Sequence, residues 1–164
     1  MRRYLAAAMA ACLLILTGCA PPLVDEEGSG VTWEQAKATT QATELRIAAL
    51  IPEALVVTVD QNDKGGLFSC DEARHRWKGI TKITLAPGTD VEAVTRQVEA
   101  HFREDGEFEV TNYLDMADVY VAVLKSPEMG EEYLFGEGDP GVILIDSWSE
   151  CFALPEGMYP GGDF

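Results

Sequence analysis

The side chains most able to do chemistry in this 164-residue chain are two histidines, four cysteines and a few serines near them. A hydrolase would need a nucleophile such as Ser69 beside a histidine such as His75, with a carboxylate such as Asp71 to orient the histidine. No nucleophile-elbow motif surrounds any serine. His101 lies near the end of the second expected helix, where a cation would suit the helix dipole. The sequence therefore predicts no catalytic residue, and a hydrolase stays only as the last alternative.

Metal and cofactor motifs give no better candidate. The stretch from Asp60 to Gly65 partly matches a calcium loop, but Lys64 takes the fifth ligand position and Asp71 stands at the twelfth, where a bidentate glutamate is needed. A hairpin turn explains this stretch better. Zinc spacings, phosphate-binding glycine loops and dinucleotide fingerprints do not occur in the sequence. We therefore expect no metal site and no cofactor.

The start of the chain decides how the cysteines are used. Arg2 and Arg3 precede an uncharged apolar run over residues 5–16, which is the pattern of a secretory signal. This run is too short to span a bilayer, because a spanning helix takes about 20 residues. It ends in Leu16-Thr17-Gly18-Cys19, and a thiolate is the best side-chain nucleophile near neutral pH.

Leu16-Thr17-Gly18-Cys19 resembles the lipobox of bacterial lipoproteins. The resemblance implies that the Cys19 thiol receives a diacylglycerol, that the peptide is cut just before it, and that acyl chains hold the protein on a membrane. Each methylene of an acyl chain that is buried in the bilayer contributes about 0.8 kcal/mol to the free energy of membrane binding, so two or three acyl chains anchor a small domain firmly. We therefore expect the protein to be anchored to the cell membrane, on its extracytoplasmic side. The alternative is a plain secreted protein in which Cys19 is incidental.

The remaining cysteines and the charge describe the mature protein. Cys12 would leave with the signal, so Cys70 and Cys151 would remain in an oxidising compartment, and we expect them to form a disulfide.

The formal net charge is −16. Such a surface repels nucleic acid and anionic headgroups, so nucleic acid is not an expected partner. It could attract cations or basic polymers, although a solvated surface is the simpler explanation.

Composition divides the chain into a signal peptide over residues 1–18, a Pro/Gly-rich acidic tether over residues 19–31 and one domain over residues 32–164. One helix is expected over residues 33–50, after a capping box that starts at Thr32. Its expected apolar face includes Ala36, Leu45 and Ala48.

A second helix is expected after a capping box from Thr89 to Glu92, and Gly106 would end it. Its polar face would include Glu99. Its apolar stripe consists of Val91, Val94, Val98 and Phe102.

Strand patterns fill the rest of the domain. Strands and helices alternate too rarely for a doubly wound parallel fold, so the expected class is α+β. We predict a two-layer sandwich with two helices on one face of an antiparallel sheet, and the element order also fits a permuted ferredoxin-like arrangement. The strands are expected at residues 54–60, 67–70, 74–85 (continuous or broken at Gly79), 107–111, 119–124, 132–135 and 142–145.

Two further segments resemble known sequences, namely Leu67-Phe68-Ser69-Cys70 and Cys151-Phe152-Ala153-Leu154-Pro155-Glu156-Gly157 with Pro160-Gly161-Gly162. From Cys70 onward the chain resembles small lipoproteins of high-GC Gram-positive, actinobacterial type. This resemblance implies a compartment and a disulfide, and it supplies no catalytic residue.

The expected function is therefore a lipid-anchored extracytoplasmic binding or interaction module of unknown ligand. The runner-up is an accessory protein that binds an envelope component or another secreted protein through its acidic surface. Four aromatic side chains could line a ligand groove near Cys151, although packing around the disulfide is the simpler explanation. They are Trp77, Trp148, Phe152 and Tyr159.

Overall fold

The computed structural model describes residues 30–164. The predicted signal peptide, the predicted acylation site Cys19 and nearly all of the predicted tether lie outside the described residues. The helices are α1 (Trp33–Ala49) and α2 (Val91–Asp105), and a short 3-10 turn follows α1 at Glu53–Leu55. The strands are β1 (Val56–Gln61), β2 (Gly66–Ser69), β3 (Arg74–Leu85), β4 (Glu109–Leu114), β5 (Tyr120–Lys125), β6 (Glu132–Glu137), β7 (Val142–Trp148) and β8 (Phe152–Ala153).

The strands form one eight-stranded antiparallel sheet whose main path runs β1-β3-β7-β6-β5-β4. The two short strands β2 and β8 both pair with the first part of β3. Both helices pack on the same face, with α1 mainly over β3 and α2 mainly over β5 and β6. The predicted α+β two-layer architecture is therefore confirmed. The sheet is larger than a four-stranded permuted ferredoxin-like arrangement, because it has six strands on its main path and two more paired with β3.

Helix α1 begins as predicted, but its buried face is different. The Thr32 side chain accepts the Gln35 N–H, and the Gln35 side chain accepts the Thr32 N–H, so the capping box is complete. Leu45, which was expected on the buried face, is 46% exposed. The buried positions include three polar residues, Thr40, Thr43 and Glu44. The apolar pattern was therefore wrong for the middle of α1, because this helix rests on polar side chains of the sheet.

Helix α2 follows its predicted apolar stripe, and Val91, Val94, Val98 and Phe102 are all buried. The predicted cap was wrong by one residue. Asp90 is the N-cap and accepts the Ala93 N–H at 3.0 Å, whereas the Thr89 hydroxyl donates to the Ala86 carbonyl at 2.7 Å. The helix ends at Gly106, whose φ of 74° is the left-handed conformation that glycine adopts readily.

The sheet has a covered inner face and an open outer face. The inner face forms the main core with both helices, through residues such as Ile83, Phe135 and Ile145. Both helices lie on that side, and no other helix within residues 30–164 covers the outer face. The apolar residues at the centre of the outer face therefore remain half-buried: Ile80, Val121, Val123, Leu134 and Leu144.

In the described part of the chain, neither helix is long and apolar enough to cross a membrane.

Candidate functional site

The structure joins Cys70 and Cys151, the pair expected from the sequence, in a disulfide with a Cα–Cα distance of 6.3 Å. Cys70 directly follows β2 and Cys151 directly precedes β8, and both strands pair with β3. The bond therefore ties the two short strands together at one end of the sheet. The fully buried Phe152 of β8 lies directly beyond it.

The residues considered for hydrolysis are only partly brought together. Ser69 and His75 are direct partners in the β2–β3 pair. The Asp71 carboxylate accepts hydrogen bonds from the Arg74 side chain and from the backbone N–H groups of Ala73 and Arg74. These bonds, led by that from the Arg74 side chain, hold the pKa of Asp71 below its ordinary value. Asp71 is therefore bound to Arg74 and does not orient His75.

The four aromatic residues considered for a ligand groove lie in different places. Trp77 and Phe152 are fully buried on the inner face, in a small second core with Ala36. Trp148 lies on the outer face, and Tyr159 is 78% exposed in the tail. A shared groove near Cys151 is therefore wrong, because alternate strand positions direct Trp77 and Trp148 to opposite faces.

A polar layer that sequence reasoning missed lies beneath α1. The fully buried Glu44 carboxylate accepts hydrogen bonds from Gln61 Nε2 and Thr81 Oγ1, each at 2.7 Å, and from the Ser147 hydroxyl. No arginine or lysine contacts it among the described residues. The layer joins α1 to three strands, and its role is structural because every carboxylate oxygen has a donor.

A second buried carboxylate, Glu99 of α2, was expected on the polar face of its helix and is instead 5% exposed. It accepts hydrogen bonds from Tyr120, Asn112 and Arg103. Burial acts to raise the pKa of Glu99, but these bonds together lower it below the ordinary value. Burial and the bond to Glu99 raise the pKa of Tyr120 to about 12. The spacing of Glu99 from Thr95 and Phe102 could have placed it next to the buried stripe.

A third buried cluster consists of Glu131, Tyr133 and Glu150, and within residues 30–164 Glu131 Oε1 and the Tyr133 hydroxyl lack a well-formed hydrogen bond. Glu131 is 4% exposed and Glu150 7% exposed. Burial raises the pKa of both carboxyl groups, and the nearby Glu150 carboxylate adds to the effect on Glu131. The Tyr133 hydroxyl lies beside Thr43 and Glu131 without a well-formed hydrogen bond to either. Burial also raises the pKa of Tyr133.

A cavity of about 450 Å³ lies next to this cluster. One wall comes from the turn between β5 and β6, where the Ser126 N–H donates to the Glu131 carbonyl at 2.8 Å and the Ser126 side chain accepts the Met129 N–H at 3.1 Å. The other wall comes from the residues that follow α2, including Glu107 and Phe108. Sequence reasoning missed this site, because the alignment of Glu131 with Tyr133 on one strand face does not by itself reveal that Glu131 is buried.

The outer face carries an aromatic and cationic cluster. Phe68 is 47% exposed and meets Trp148 edge-on, with ring centroids 5.0 Å apart. The Arg76 guanidinium lies 4.2 Å from the centre of the Trp148 ring, and among residues 30–164 it has no carboxylate partner. Beside it, Lys78 pairs with Asp146 at 2.9 Å.

No group of three or more histidine, cysteine, aspartate or glutamate side chains within the described residues is arranged to hold a metal ion.

No protein-family model matches this sequence, and no curated protein matches it. Among solved structures, the chain is similar to the crystal structure of the "putative lipoprotein LppA" of Mycobacterium tuberculosis. The two sequences are 16% identical, and the alignment covers 79% of this chain and 83% of that chain, with a TM-score of 0.46. A likeness at this level carries no argument about function, so function must be argued from the residues themselves.

Proposed function

We propose that this protein is an extracytoplasmic lipoprotein, anchored to the cell membrane through acyl chains on Cys19, and that its domain is a binding module for another protein. The anchor is supported by the sequence Leu16-Thr17-Gly18-Cys19 behind a short apolar run. The Cys70–Cys151 disulfide supports the same location, because disulfides persist in oxidising compartments. The described chain begins at an exposed Gly30, from which a tether can leave the surface.

The observation that carries the binding role is the open outer face of the sheet. Its centre is apolar, and its edge near β2 presents Phe68, Trp148 and Arg76 together. Tryptophan and arginine are the residues most enriched at the energetic centres of protein interfaces. The paired charges of Lys78 and Asp146 lie beside this cluster and form part of a polar rim.

The partner that fits this surface is a protein that places a carboxylate on Arg76. The Trp148 ring holds the Arg76 guanidinium in place, so its five donors are pre-organised for a bidentate bond to a carboxylate. A carboxylate on the partner would also complement a site that stands out as cationic on an acidic protein of net charge −16.

The anchor is tested by metabolic labelling with an alkyne fatty acid. The wild-type protein and the Cys12→Ala variant should both take up the label and remain with membranes, whereas Cys19→Ala should lose the label and leave the membrane fraction. Cys12 is the matched control because it lies in the same apolar run. Label that Cys19→Ala retains, or that the wild type does not take up, would show that Cys19 is not the acylation site.

The binding role is tested by placing a photo-crosslinking amino acid at residue 68 or residue 45 in living cells. Phe68 and Leu45 are matched controls, because they are 47% and 46% exposed on the open side and the helical side of the protein. A discrete adduct with one protein should form only from position 68, and Arg76→Glu should abolish it. Equal adducts from both positions, or an adduct insensitive to Arg76→Glu, would contradict the assignment.

A further inference from the structure

Two buried polar atoms beside the β5–β6 turn lack a well-formed hydrogen bond, and they are Glu131 Oε1 and the Tyr133 hydroxyl oxygen. Glu131 is 4% exposed and Tyr133 is fully buried, and although the two groups lie next to each other, neither atom makes a hydrogen bond of good geometry within residues 30–164. Folded proteins satisfy nearly all such groups, so atoms of this kind call for an explanation, and a bound species that supplies the missing hydrogen bonds is one. The buried carboxylates of Glu44 and Glu99 in the same protein differ from Glu131, because they accept well-formed hydrogen bonds.

Glu131 lines the cavity of about 450 Å³ described above. This volume lies in the range of small-molecule sites. The cavity walls combine acidic groups with apolar surface: Glu107, Glu128 and Glu131 on one hand, and Phe108, Pro127 and Met129 on the other. Among residues 30–164, no lysine or arginine lines it.

A positively charged side chain already lies next to the cavity, and its contacts show which kind of group the residues of the cavity wall stabilise. The Arg46 guanidinium pairs with Glu107 at 2.8 Å and lies 5.5 Å from the centre of the Phe108 ring. The same carboxylate-plus-ring combination stabilises a positive charge next to the cavity mouth. Within residues 30–164 Glu131 forms no ion pair, and the Arg46 charge, which pairs with Glu107, only partly offsets the effects that raise the pKa of Glu131.

We propose that this cavity binds a primary ammonium group carried on a short alkyl chain, with the ammonium on Glu131 and the chain against Phe108 and Met129. An ammonium group brings three donors, which is enough to satisfy Glu131 Oε1 and acceptor groups around it. The alkyl chain would cover the apolar wall of the same cavity. This site lies on the helical side of the sheet, apart from the open outer face, so it is independent of the protein-binding role proposed above.

The test is a titration of the lipid-anchored protein in nonionic detergent with 1,5-diaminopentane, followed by the methyl signals of isotope-labelled methionine. The mature chain has three methionines, Met116, Met129 and Met158, of which only Met129 lines the cavity. We expect the Met129 signal to shift and saturate while the other two stay in place. The uncharged analogue 1,5-pentanediol should give no shift. Glu131→Gln should weaken diamine binding at least tenfold, and the exposed control Glu156→Gln should leave it unchanged.

Three results would overturn the site. The first is a parallel, non-saturating shift of all three methionine signals, which would indicate non-specific attraction to an acidic surface. The second is wild-type affinity in Glu131→Gln, provided that its Met129 signal shows the same fold. The third is saturation of the Met129 shift by calcium at concentrations where the diamine has no effect, which would identify a metal site instead. Because none of these readouts uses residue 68, failure here leaves the protein-binding test intact.

Discussion

At the scale of single residues, Glu44 shows how an acidic side chain can be buried with neutral hydrogen-bond donors around it. Three neutral donors from three strands converge on its carboxylate. We expect Glu44→Ala to lower the free energy of unfolding by about 2–4 kcal/mol, because it leaves buried donors without acceptors. Glu44→Gln keeps one oxygen and should cost about 1 kcal/mol. Urea unfolding measures both, with the exposed Glu34→Ala of the same helix as control; equal effects of all three would contradict this role for Glu44.

Gly79 is a position in β3 where the Glu44 side chain and the Trp77 ring leave no room for a side chain. A Cβ at Gly79 would lie 2.5 Å from Glu44 Oε1 and would also overlap the Trp77 ring. We therefore expect Gly79→Ala to destabilise the domain by about 2–3 kcal/mol through overpacking. Gly66→Ala is the matched strand control, because its Cβ would meet only Phe68 at an ordinary 3.6 Å. Thermal melts should separate the two variants, and similar midpoints would show that the α1–β3 contact is looser than described.

At the scale of elements, the two helices show what periodicity can and cannot predict. Helix α2 packs on the apolar half of the sheet, so its buried face is an apolar stripe that the sequence shows directly. Helix α1 packs over Thr81 and Ser147, so its buried face carries Thr40 and Glu44. An apolar pattern cannot reveal such a face, because the burial of a polar side chain depends on donors supplied by distant strands. Sequence reasoning consequently placed both helices but predicted the buried face of only one.

The strands follow the same rule. The expected strand over residues 74–85 is continuous, because Gly79 is there to admit Glu44 and not to break the strand. The acidic cluster at Glu131 could not be predicted from its own segment. Its burial arises from α1 and from Glu150 beyond β7, which meet it only in the folded chain.

The disulfide acts on β2 and β8, the shortest strands of the sheet. Its sequence separation of 81 residues corresponds, in the chain-entropy account, to roughly 4–5 kcal/mol of stabilisation. We expect reduction, or Cys70→Ala with Cys151→Ala, to lower the melting temperature and to speed hydrogen exchange in β8 more than in α2. Reductant added to the double variant is the control and should change nothing. An unchanged midpoint on reduction of the wild type would rule out a stabilising bond.

At the scale of the whole molecule, the raised pKa values of Glu131 and Glu150 determine how stability depends on pH. In the unfolded chain both groups titrate near 4.5, and in the folded protein both titrate above it. Between these values the folded state holds more protons than the unfolded state, so stability falls as pH rises through the window. Each group changes the free energy of unfolding by at most about 1.4 kcal/mol per pH unit there. The lowered pKa of Glu99 has the opposite effect, because it makes the stability fall as the pH falls, but this effect is confined to pH values below about 4.5.

We therefore expect the domain to be more stable near pH 5 than near pH 8, as measured by urea midpoints at constant salt. Glu131→Gln should flatten this slope and be at least as stable as the wild type at pH 8, because it removes a buried carboxylate whose Oε1 lacks a well-formed hydrogen bond. Glu156→Gln, on the surface, should keep the wild-type slope. A Glu131→Gln variant less stable by the same amount at every pH would mean that the carboxylate has a protein partner in solution. If 1,5-diaminopentane restores stability at pH 8 to the wild type and not to Glu131→Gln, the missing partner is a cation, since a ligand stabilises only the folded state that binds it.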